Sequence, residues 1–165
     1  MTEGKIDIIP FTPSSALEAA ELWNEIVAEG RAFPQTELLD AETGRAFFEE
    51  QSFTGLAYGE DGRLAGLYIL HPNNVGRCGH ICNASYAVAR AFRGRGIGEA
   101  LVRHSIAKGA SLGFRVLQFN AVVASNKPAL ALYEKLGFIR LGTIPGGFLA
   151  KSGEYEDIIP HYILL

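Results

Sequence analysis

Residues Ala91–Ser105 read AFRGRGIGEALVRHS. Gly94, Gly96 and Gly98 occupy alternate positions, and an apolar-periodic run begins directly after them. Glycines before a helix let the backbone approach a ligand closely, because they carry no Cβ atom. A helix start also presents unpaired amide N–H groups and the positive end of the helix dipole. The stretch therefore predicts an anion-binding turn followed by a helix.

Basic residues surround this turn in a chain that is slightly acidic as a whole. Between Arg90 and Lys108 there are five basic residues and one acidic residue, Glu99, whereas the whole chain has 15 Lys and Arg against 18 Asp and Glu. This local bias favours an anionic ligand. The net charge of −3 argues against a general binder of nucleic acid or of membrane surfaces, because such proteins need a net basic face.

The length of 165 residues suits one domain, residues 1–165, which can bury a core without a disulfide or a metal. The N-terminus lacks the basic segment and apolar run of a secretory signal. No apolar stretch approaches the roughly 18 residues that a membrane-spanning helix needs. We therefore expect a soluble, cytoplasmic protein.

Two cysteines flank a histidine near the middle of the chain. On a strand, Cys78, His80 and Cys82 would all face one side, where they could meet a metal ion. A fourth ligand is missing, and the spacing matches no common zinc pattern. We expect no metal and two reduced, structural cysteines.

Strand and helix patterns alternate along the chain and predict one α/β domain. Ser15 and Glu18 suggest a capping box, and Gly30 suggests a helix end. Pro160 lacks an N–H, so it predicts a bulge or an edge position in the last strand. Strands are expected at 5–11, on both sides of a hairpin turn at 60–63, and at 79–88, 114–123, 138–142 and 155–165. Helices are expected at 14–30, 41–51, 96–112 and 126–137. Loops are expected at 31–40, 72–77 and 143–156.

Common phosphate-binding patterns narrow the identity of the anion. The dinucleotide fingerprint G-x-G-x-x-G needs a third glycine at position 99, which is Glu99, and the P-loop sequence Gly-Lys-Ser/Thr is absent. The stretch from Val88 to Gly98 instead resembles the acetyl-CoA signature of the GNAT N-acetyltransferases, Arg/Gln-x-x-Gly-x-Gly/Ala, with Arg93, Gly96 and Gly98 at its specified positions. A solvated, arginine-rich surface turn is the alternative.

A second segment supports the resemblance. ASNKPALALYEKLGF, residues 124–138, is similar to the other signature of that family, Asn-x-x-Ala-x-x-Leu-Tyr-x-x-x-Gly-Phe, and it begins at Asn126, 28 residues after Gly98. The resemblance covers roughly Ile81–Phe138, and it extends to the rest of the chain only through the order of the predicted elements. The resemblance implies a mixed α/β GNAT fold, with a mostly antiparallel sheet of about seven strands, one splayed parallel pair and about four flanking helices.

The same resemblance implies how acetyl-CoA would bind and react. The pantetheine arm would lie between two splayed strands, at Ser85–Val88 and Gln118–Val123, and the Val88 amide would polarise the thioester carbonyl. The cofactor-binding residues it implies are Tyr86, Ala87, Val88, Arg93, Gly94, Arg95, Gly96, Ile97, Gly98, Glu99 and Asn126.

Tyr133 is the candidate acid. It lies seven residues after Asn126, about two helical turns, and so shares a face with the helix start. A phenol can give a proton to a departing thiolate. Packing in the core is the alternative role for Tyr133.

The acceptor site rests on a finer resemblance. CNASYAV, LQFNAVVASN and GTIPGGF together look like a branch of the family that acetylates proline analogues and related imino acids, in which asparagines on the two splayed strands hold the acceptor. Asn83 and Asn120 stand at those positions, although either could instead satisfy backbone groups. Phe33 and Phe148 could wall a closed pocket, and specificity is expected from Arg31–Asp40, Cys82–Tyr86 and Thr143–Glu156.

The sequence does not identify a general base. Many members of the family have a glutamate on the strand before the phosphate turn, but this chain has no Asp or Glu between Asn73 and Gly98. His80, Glu37 and a water held by Asn83 and Asn120 remain as alternatives.

The resulting hypothesis is an acetyl-CoA-dependent N-acetyltransferase that acetylates a small-molecule amine by direct transfer in a ternary complex. One alternative is an enzyme that acetylates protein or peptide amines, which would need an open groove. The other is a non-catalytic, CoA-sensing module, which would not need an acid at position 133. Family members are often dimers, so the resemblance allows a homodimer.

Overall fold

The structure is a computed structural model, and it describes residues 6–165. Lys5, in the first predicted strand, lies outside the described residues. Four α-helices and eight β-strands alternate along the described part of the chain. Their bounds are β1 Ile8–Pro10, α1 Ala16–Glu29, α2 Ala41–Glu50, β2 Phe53–Tyr58, β3 Leu64–Pro72, β4 Ile81–Val88, α3 Ile97–Ser111, β5 Val116–Val123, α4 Lys127–Lys135, β6 Ile139–Arg140, β7 Ile144–Leu149 and β8 Tyr155–Leu164.

One mixed sheet contains all of these strands, in the order β1-β2-β3-β4-β5-β8-β6, with β7 paired to β8. β4 and β5 are parallel, and every other pairing among the described strands is antiparallel. The predicted mixed α/β fold with one parallel pair and four helices is therefore confirmed. No helix within residues 6–165 is long and apolar enough to cross a membrane.

The strand β7 corrects the sequence-based prediction, which treated 143–156 as a loop and gave about seven strands instead of eight. Its glycines explain why no strand pattern is visible. Gly146 has φ +61°, and a Cβ on Gly147 would lie 2.4 Å from Ile158 Cγ1 on β8. Close contact with the neighbouring strand therefore requires glycine where a strand pattern would show apolar residues.

Alternation along the strands divides the core into two layers. On β3, Leu67 and Ile69 pack in a cluster with α1 and α2, whereas Tyr68 and Leu70 pack in a cluster with α3 and α4. Successive side chains of a strand point to opposite faces, so α1 and α2 cover one face of the sheet and α3 and α4 cover the other.

The helix ends agree with the sequence in part. Gly30 ends α1 in the left-handed conformation, at φ +61°, as predicted. The predicted capping box is wrong, because the Ser15 side chain makes no capping hydrogen bond and the Glu18 carboxylate accepts from the Tyr58 hydroxyl. The structure has its capping box at α2 instead, where Asp40 Oδ1 accepts from the Thr43 amide at 2.7 Å.

The parallel pair is short. β4 and β5 pair only through Ile81 with Val116 and Cys82 with Leu117, and the strands part beyond this point.

The other edge of β5 is irregular in the same region. Phe119 pairs with His161 and Val122 with Ile159, so Asn120 and Ala121 both lie opposite Pro160 on β8. Proline has no N–H to donate to the ladder, and this explains the bulge that the sequence predicted.

Gly66 on β3 marks the closest approach of α3 to the sheet. A Cβ there would lie 2.8 Å from Ile97 Cγ2 and 3.0 Å from Leu101 Cδ1. We expect Gly66→Ala to lower the free energy of unfolding by about 1–3 kcal/mol, the range for overpacking a core, as measured by urea or thermal unfolding.

Gly98→Ala is the matched control for this stability measurement. Its Cβ would lie 3.7 Å from Val88 Cγ2, an ordinary contact, and alanine favours the helical conformation that Gly98 already adopts. The control should unfold at the wild-type temperature or above. Equal destabilisation by both substitutions would contradict the packing argument.

Candidate active site

A cavity of about 180 Å³ opens where β4 and β5 part. Its walls come from the loop after α1, from both parted strands and from the start of α4. Six of the predicted site residues line it: Phe33, Asn83, Tyr86, Asn120, Asn126 and Tyr133. The structure therefore brings the predicted acid and the predicted acceptor residues to one cavity.

Tyr133 enters the cavity from α4. Its ring packs against Phe119, with 4.5 Å between ring centroids, and against Phe138 at 5.4 Å. Burial raises the pKa of the Tyr133 phenol above its usual range, and no hydrogen bond contributes to the shift. The phenol is therefore neutral at physiological pH and keeps a proton that it can donate.

Tyr86 lines the same cavity, but its hydroxyl already has a partner. Tyr86 Oη lies 2.7 Å from Ser105 Oγ on α3, and Ser105 Oγ donates its proton to the Val102 carbonyl at 2.7 Å. Since a serine hydroxyl has one proton, Tyr86 must donate to Ser105. Of the two phenols at the cavity, Tyr133 is thus the one whose proton is not used within the described structure.

The two predicted acceptor asparagines are connected by a residue that the sequence analysis missed. Asn73, directly after β3, accepts from Asn83 Nδ2 at 3.2 Å and from Asn120 Nδ2 at 2.7 Å. Asn73 Nδ2 donates back to Asn120 Oδ1 at 3.1 Å. In the sequence, Asn73 and Asn74 indicate only a loop. The contact becomes visible once the register of β3 against β4 is known.

The glycine turn before α3 leaves its backbone open. Gly94 and Gly96 have φ +75° and +79°, and a Cβ on either would meet no atom within 4 Å. Gly96 is the N-cap of α3, so the free amides of the first helical turn follow it directly. The Arg95 guanidinium lies 5.3 Å from the Phe92 ring centroid. The turn has the open backbone and conformation that the predicted anion site requires.

Glu99, in the first turn of α3, forms ion pairs on both sides. Its carboxylate accepts from Lys135 Nζ at 2.7 Å and from Arg103 Nη2 at 2.8 Å, and these two hydrogen bonds lower its pKa. The pair with Lys135 connects the start of α3 to the end of α4. Because two cations compensate it, the Glu99 carboxylate is not an isolated negative charge beside the glycine turn.

The side chain of Arg93 extends towards α1. Its Nε donates to the Val88 carbonyl at 3.3 Å, and its Nη2 donates to Glu29 Oε1 at 2.7 Å. Arg93 lines a separate, wider cleft of about 580 Å³, together with Glu25, Ala28, Glu29, Arg31, Arg90 and Lys151. Its observed contacts therefore hold the glycine turn against the end of α1.

Several candidate residues lie away from the cavity. Phe148 is buried with Val123 and Ile158 and does not line the cavity, so its predicted role as a wall is wrong. His80 and Glu37 are exposed and do not line it either. None of the described lining residues is Asp or Glu, so neither base candidate gains support from the geometry.

Cys78, His80 and Cys82 do not lie on one strand, so the common face that a strand would give them does not form. Cys78 lies in a short 3-10 turn at Gly76–Cys78 and is exposed, whereas Cys82 is buried in β4. Burial raises the pKa of the Cys82 thiol to about 11, which keeps it protonated. Within residues 6–165, no three His, Cys, Asp or Glu side chains lie close enough together to hold a metal ion.

Known acetyltransferases are similar to this chain in sequence. The model of the GNAT acetyltransferase family matches residues 19–138. N-acetyltransferase aca1 of Schizosaccharomyces pombe is 38% identical over 100 residues, which is 61% of this chain but only 47% of that protein. Streptothricin acetyltransferase of Streptomyces lavendulae is 31% identical over 131 residues, covering 78% of this chain and 67% of that protein.

Solved structures share the fold over nearly the whole chain. A GCN5-related N-acetyltransferase from Kribbella flavida is 32% identical, with a TM-score of 0.88 over 97% of this chain and 98% of that one. The phosphinothricin acetyltransferase of Sinorhizobium meliloti, solved with acetyl-CoA, is 19% identical, with a TM-score of 0.89 over 97% of this chain and 88% of that one. The open glycine turn, the parted strands and these matches together assign the family: the chain belongs to the GNAT acetyltransferases.

Proposed function

We propose that this chain, acting as one domain, transfers an acetyl group from acetyl-CoA to the amine of a small molecule in a ternary complex. The observation that carries the proposal is the cavity between the parted strands, where a neutral phenol and a group of side-chain amides meet. The family supplies the reaction class.

The chain offers two features that suit acetyl-CoA. Beyond Cys82 and Leu117, the facing edges of β4 and β5 do not pair with each other, so backbone groups there are free to bind an extended arm. The open amides after Gly96 suit a pyrophosphate. The residues that would hold the molecule are Tyr86, Ala87, Val88, Arg93, Gly94, Arg95, Gly96, Ile97, Gly98, Glu99 and Asn126. The S. meliloti relative was solved with acetyl-CoA, which supports this assignment.

Acetyl-CoA supplies an activated acyl carbon with a thiol as the leaving group. The Val88 amide donates to the carbonyl oxygen, where negative charge develops. As the new C–N bond forms and the C–S bond breaks, the Tyr133 hydroxyl gives its proton to sulfur and later regains one from water. Burial raises the pKa of Tyr133, so the group is a protonated phenol and not a phenolate at physiological pH.

The amine must lose one proton during transfer, and the cavity contains no carboxylate among its described lining residues. We infer that water accepts this proton, held by the amides of Asn83 and Asn120. An amine whose pKa is not raised by a nearby carboxylate also reaches its neutral, nucleophilic form more readily.

The acceptor is proposed to be a small amine that carries a carboxylate, such as an amino or imino acid. The cavity is small, and Phe33 and Pro34 form part of its wall. Side-chain N–H groups of Asn83 and Asn120 can hold a carboxylate without adding a full positive charge. The streptothricin acetyltransferase of S. lavendulae, 31% identical, is named for a small-molecule acceptor, which supports this class.

Gly96→Asp should abolish the binding of CoA, because it adds a side chain and a negative charge where the pyrophosphate is proposed to lie. Isothermal titration calorimetry with CoA measures this loss directly. Gly62→Asp is the matched control, since Gly62 also has a positive φ (+76°) with no atom within 4 Å of a Cβ, but lies in the β2–β3 turn. Wild-type affinity in Gly96→Asp would show that the phosphates bind elsewhere.

Tyr133→Phe should keep the affinity for CoA and lower kcat by about 10²–10⁴, the usual contribution of a positioned acid. Steady-state assays of thiol release measure kcat, with single-turnover assays to establish that chemistry is rate-limiting. Tyr155→Phe, the same change at an exposed residue of β8, is the control and should leave kcat unchanged. A wild-type kcat in Tyr133→Phe would reduce Tyr133 to a packing role.

A further inference from the structure

Asn73 bridges three neighbouring strands at the point where the sheet opens. It follows β3, and its amide N–H donates to the Ile81 carbonyl of β4 at 2.8 Å. Its side chain extends across β4 and bonds to Asn83 of β4 and Asn120 of β5. These contacts lie beside Cys82 and Leu117, the last residues that pair β4 with β5. Asn73 thus connects the two strands where their backbone pairing stops.

The neighbouring side chains form what we call the amide cluster: Asn73, Asn83, Asn120 and Gln118. Gln118 Nε2 donates to Asn120 Oδ1 at 3.1 Å, so that oxygen accepts two hydrogen bonds, one from Gln118 and one from Asn73. Asn73 Oδ1 also accepts two, from Asn83 and Asn120. Both oxygens have therefore used both lone pairs.

The hydrogen-bonding capacity that remains is uneven. Asn83 Oδ1 accepts no hydrogen bond from residues 6–165 and keeps both lone pairs. Each of the three asparagine nitrogens has donated one N–H to another member of the cluster and keeps a second. The three asparagines consequently offer three N–H donors and one free carbonyl oxygen. The donors and the oxygen that belong to Asn83 and Asn120 are on residues that line the cavity.

This arrangement suits a ligand with an anionic group beside an amine. N–H donors bind a carboxylate, and a carbonyl oxygen accepts from an amine. Asn83 and Asn120 can present those groups only in one orientation of each side-chain amide, because a half-turn exchanges oxygen and nitrogen. The hydrogen bonds to Asn73 Oδ1 fix that orientation, since only the nitrogen end of each amide can donate to it.

We propose that Asn73 is a positioning residue for the acceptor: it fixes the orientation of Asn83 and Asn120, and through them it selects amines that carry a carboxylate. Asn73 does not line the cavity, so it acts through its two partners and not by contact with the substrate. This inference rests on the proposed acetyltransferase function and names the residue that determines its acceptor class.

The test compares two substitutions of Asn73 with a matched control. Asn73→Ala removes the common acceptor, lets the Asn83 amide turn, and leaves the Asn120 amide held by Gln118 alone. Asn73→Asp keeps an oxygen that can accept from both partners but adds a negative charge beside the carboxylate site. Asn74→Ala is the control, because Asn74 is the adjacent asparagine and, among residues 6–165, its side chain accepts only from the Val75 amide, at 2.8 Å.

The probes are the proteinogenic α-amino acids, proline included, and their primary amides, with thiol release from acetyl-CoA as the readout. Wild type should prefer the acids to the amides. Asn73→Ala should raise the KM for the best acid by about ten- to a hundred-fold, the range for a lost polar contact to a charged group, with kcat within about threefold. Asn73→Asp should raise the KM for the acid at least as much and leave the KM for the amide within about twofold.

Two further readouts separate this role from a purely structural one. The affinity for CoA and the unfolding temperature should stay at wild-type values in Asn73→Asp. The double variant Asn73→Ala/Asn83→Ala should raise the KM for the acid by less than the product of the two single-variant factors, because both changes affect the orientation of the same ligand. Asn74→Ala should behave as wild type.

Three results would overturn the inference. They are equal turnover of acids and amides by the wild type, an unchanged acid-to-amide preference in both Asn73 variants, and no turnover of any of these probes. None of the three would by itself remove the proposed acetyltransferase function. That function has its own test in CoA binding by Gly96→Asp and in thiol release with simple amines such as benzylamine.

Discussion

The early loss of pairing between β4 and β5 opens the cavity that the proposed acid and acceptor residues line. Two residue pairs hold these parallel strands together, and beyond Leu117 the bulge opposite Pro160 turns β5 out of regular register. A continuous sheet would fill the space with its own hydrogen bonds. Because the strands part, an opening passes through the sheet, and side chains from both of its faces reach one cavity.

The two faces of the sheet contribute different chemistry to that cavity. Tyr133 and Phe119 belong to the layer of α3 and α4. Asn83 points the other way, since its neighbours on β4, Cys82 and Ala84, pack in that same layer. A thioester held between the strands would have the acid, Tyr133, on one face of the sheet and the side-chain amides that bind the acceptor on the other. The separation allows leaving-group protonation and amine binding to occur without competing for one residue.

How much could be predicted from the sequence depends on how local each signal is. The start of α3 and the ends of α4 follow from Gly96, Asn126 and Gly137, because glycine turns and caps act within one helical turn. The contact of Asn73 with Asn120 and the direction of Arg93 could not be predicted, because the partners Asn120 and Glu29 lie 47 and 64 residues away in sequence. The strand β7 was hidden because close packing against Ile158 requires glycine there.

We propose that this opening in the sheet is a catalytic site for acetylating small amines. The most direct test supplies the wild-type protein with acetyl-CoA and a panel of amino acids, simple amines and peptides, and follows free thiol together with the mass of the product. We expect thiol release that depends on a small, carboxylate-bearing amine, with one acetyl group added to that amine. CoA binding without amine-dependent thiol release, or acetylation confined to peptides, would contradict it.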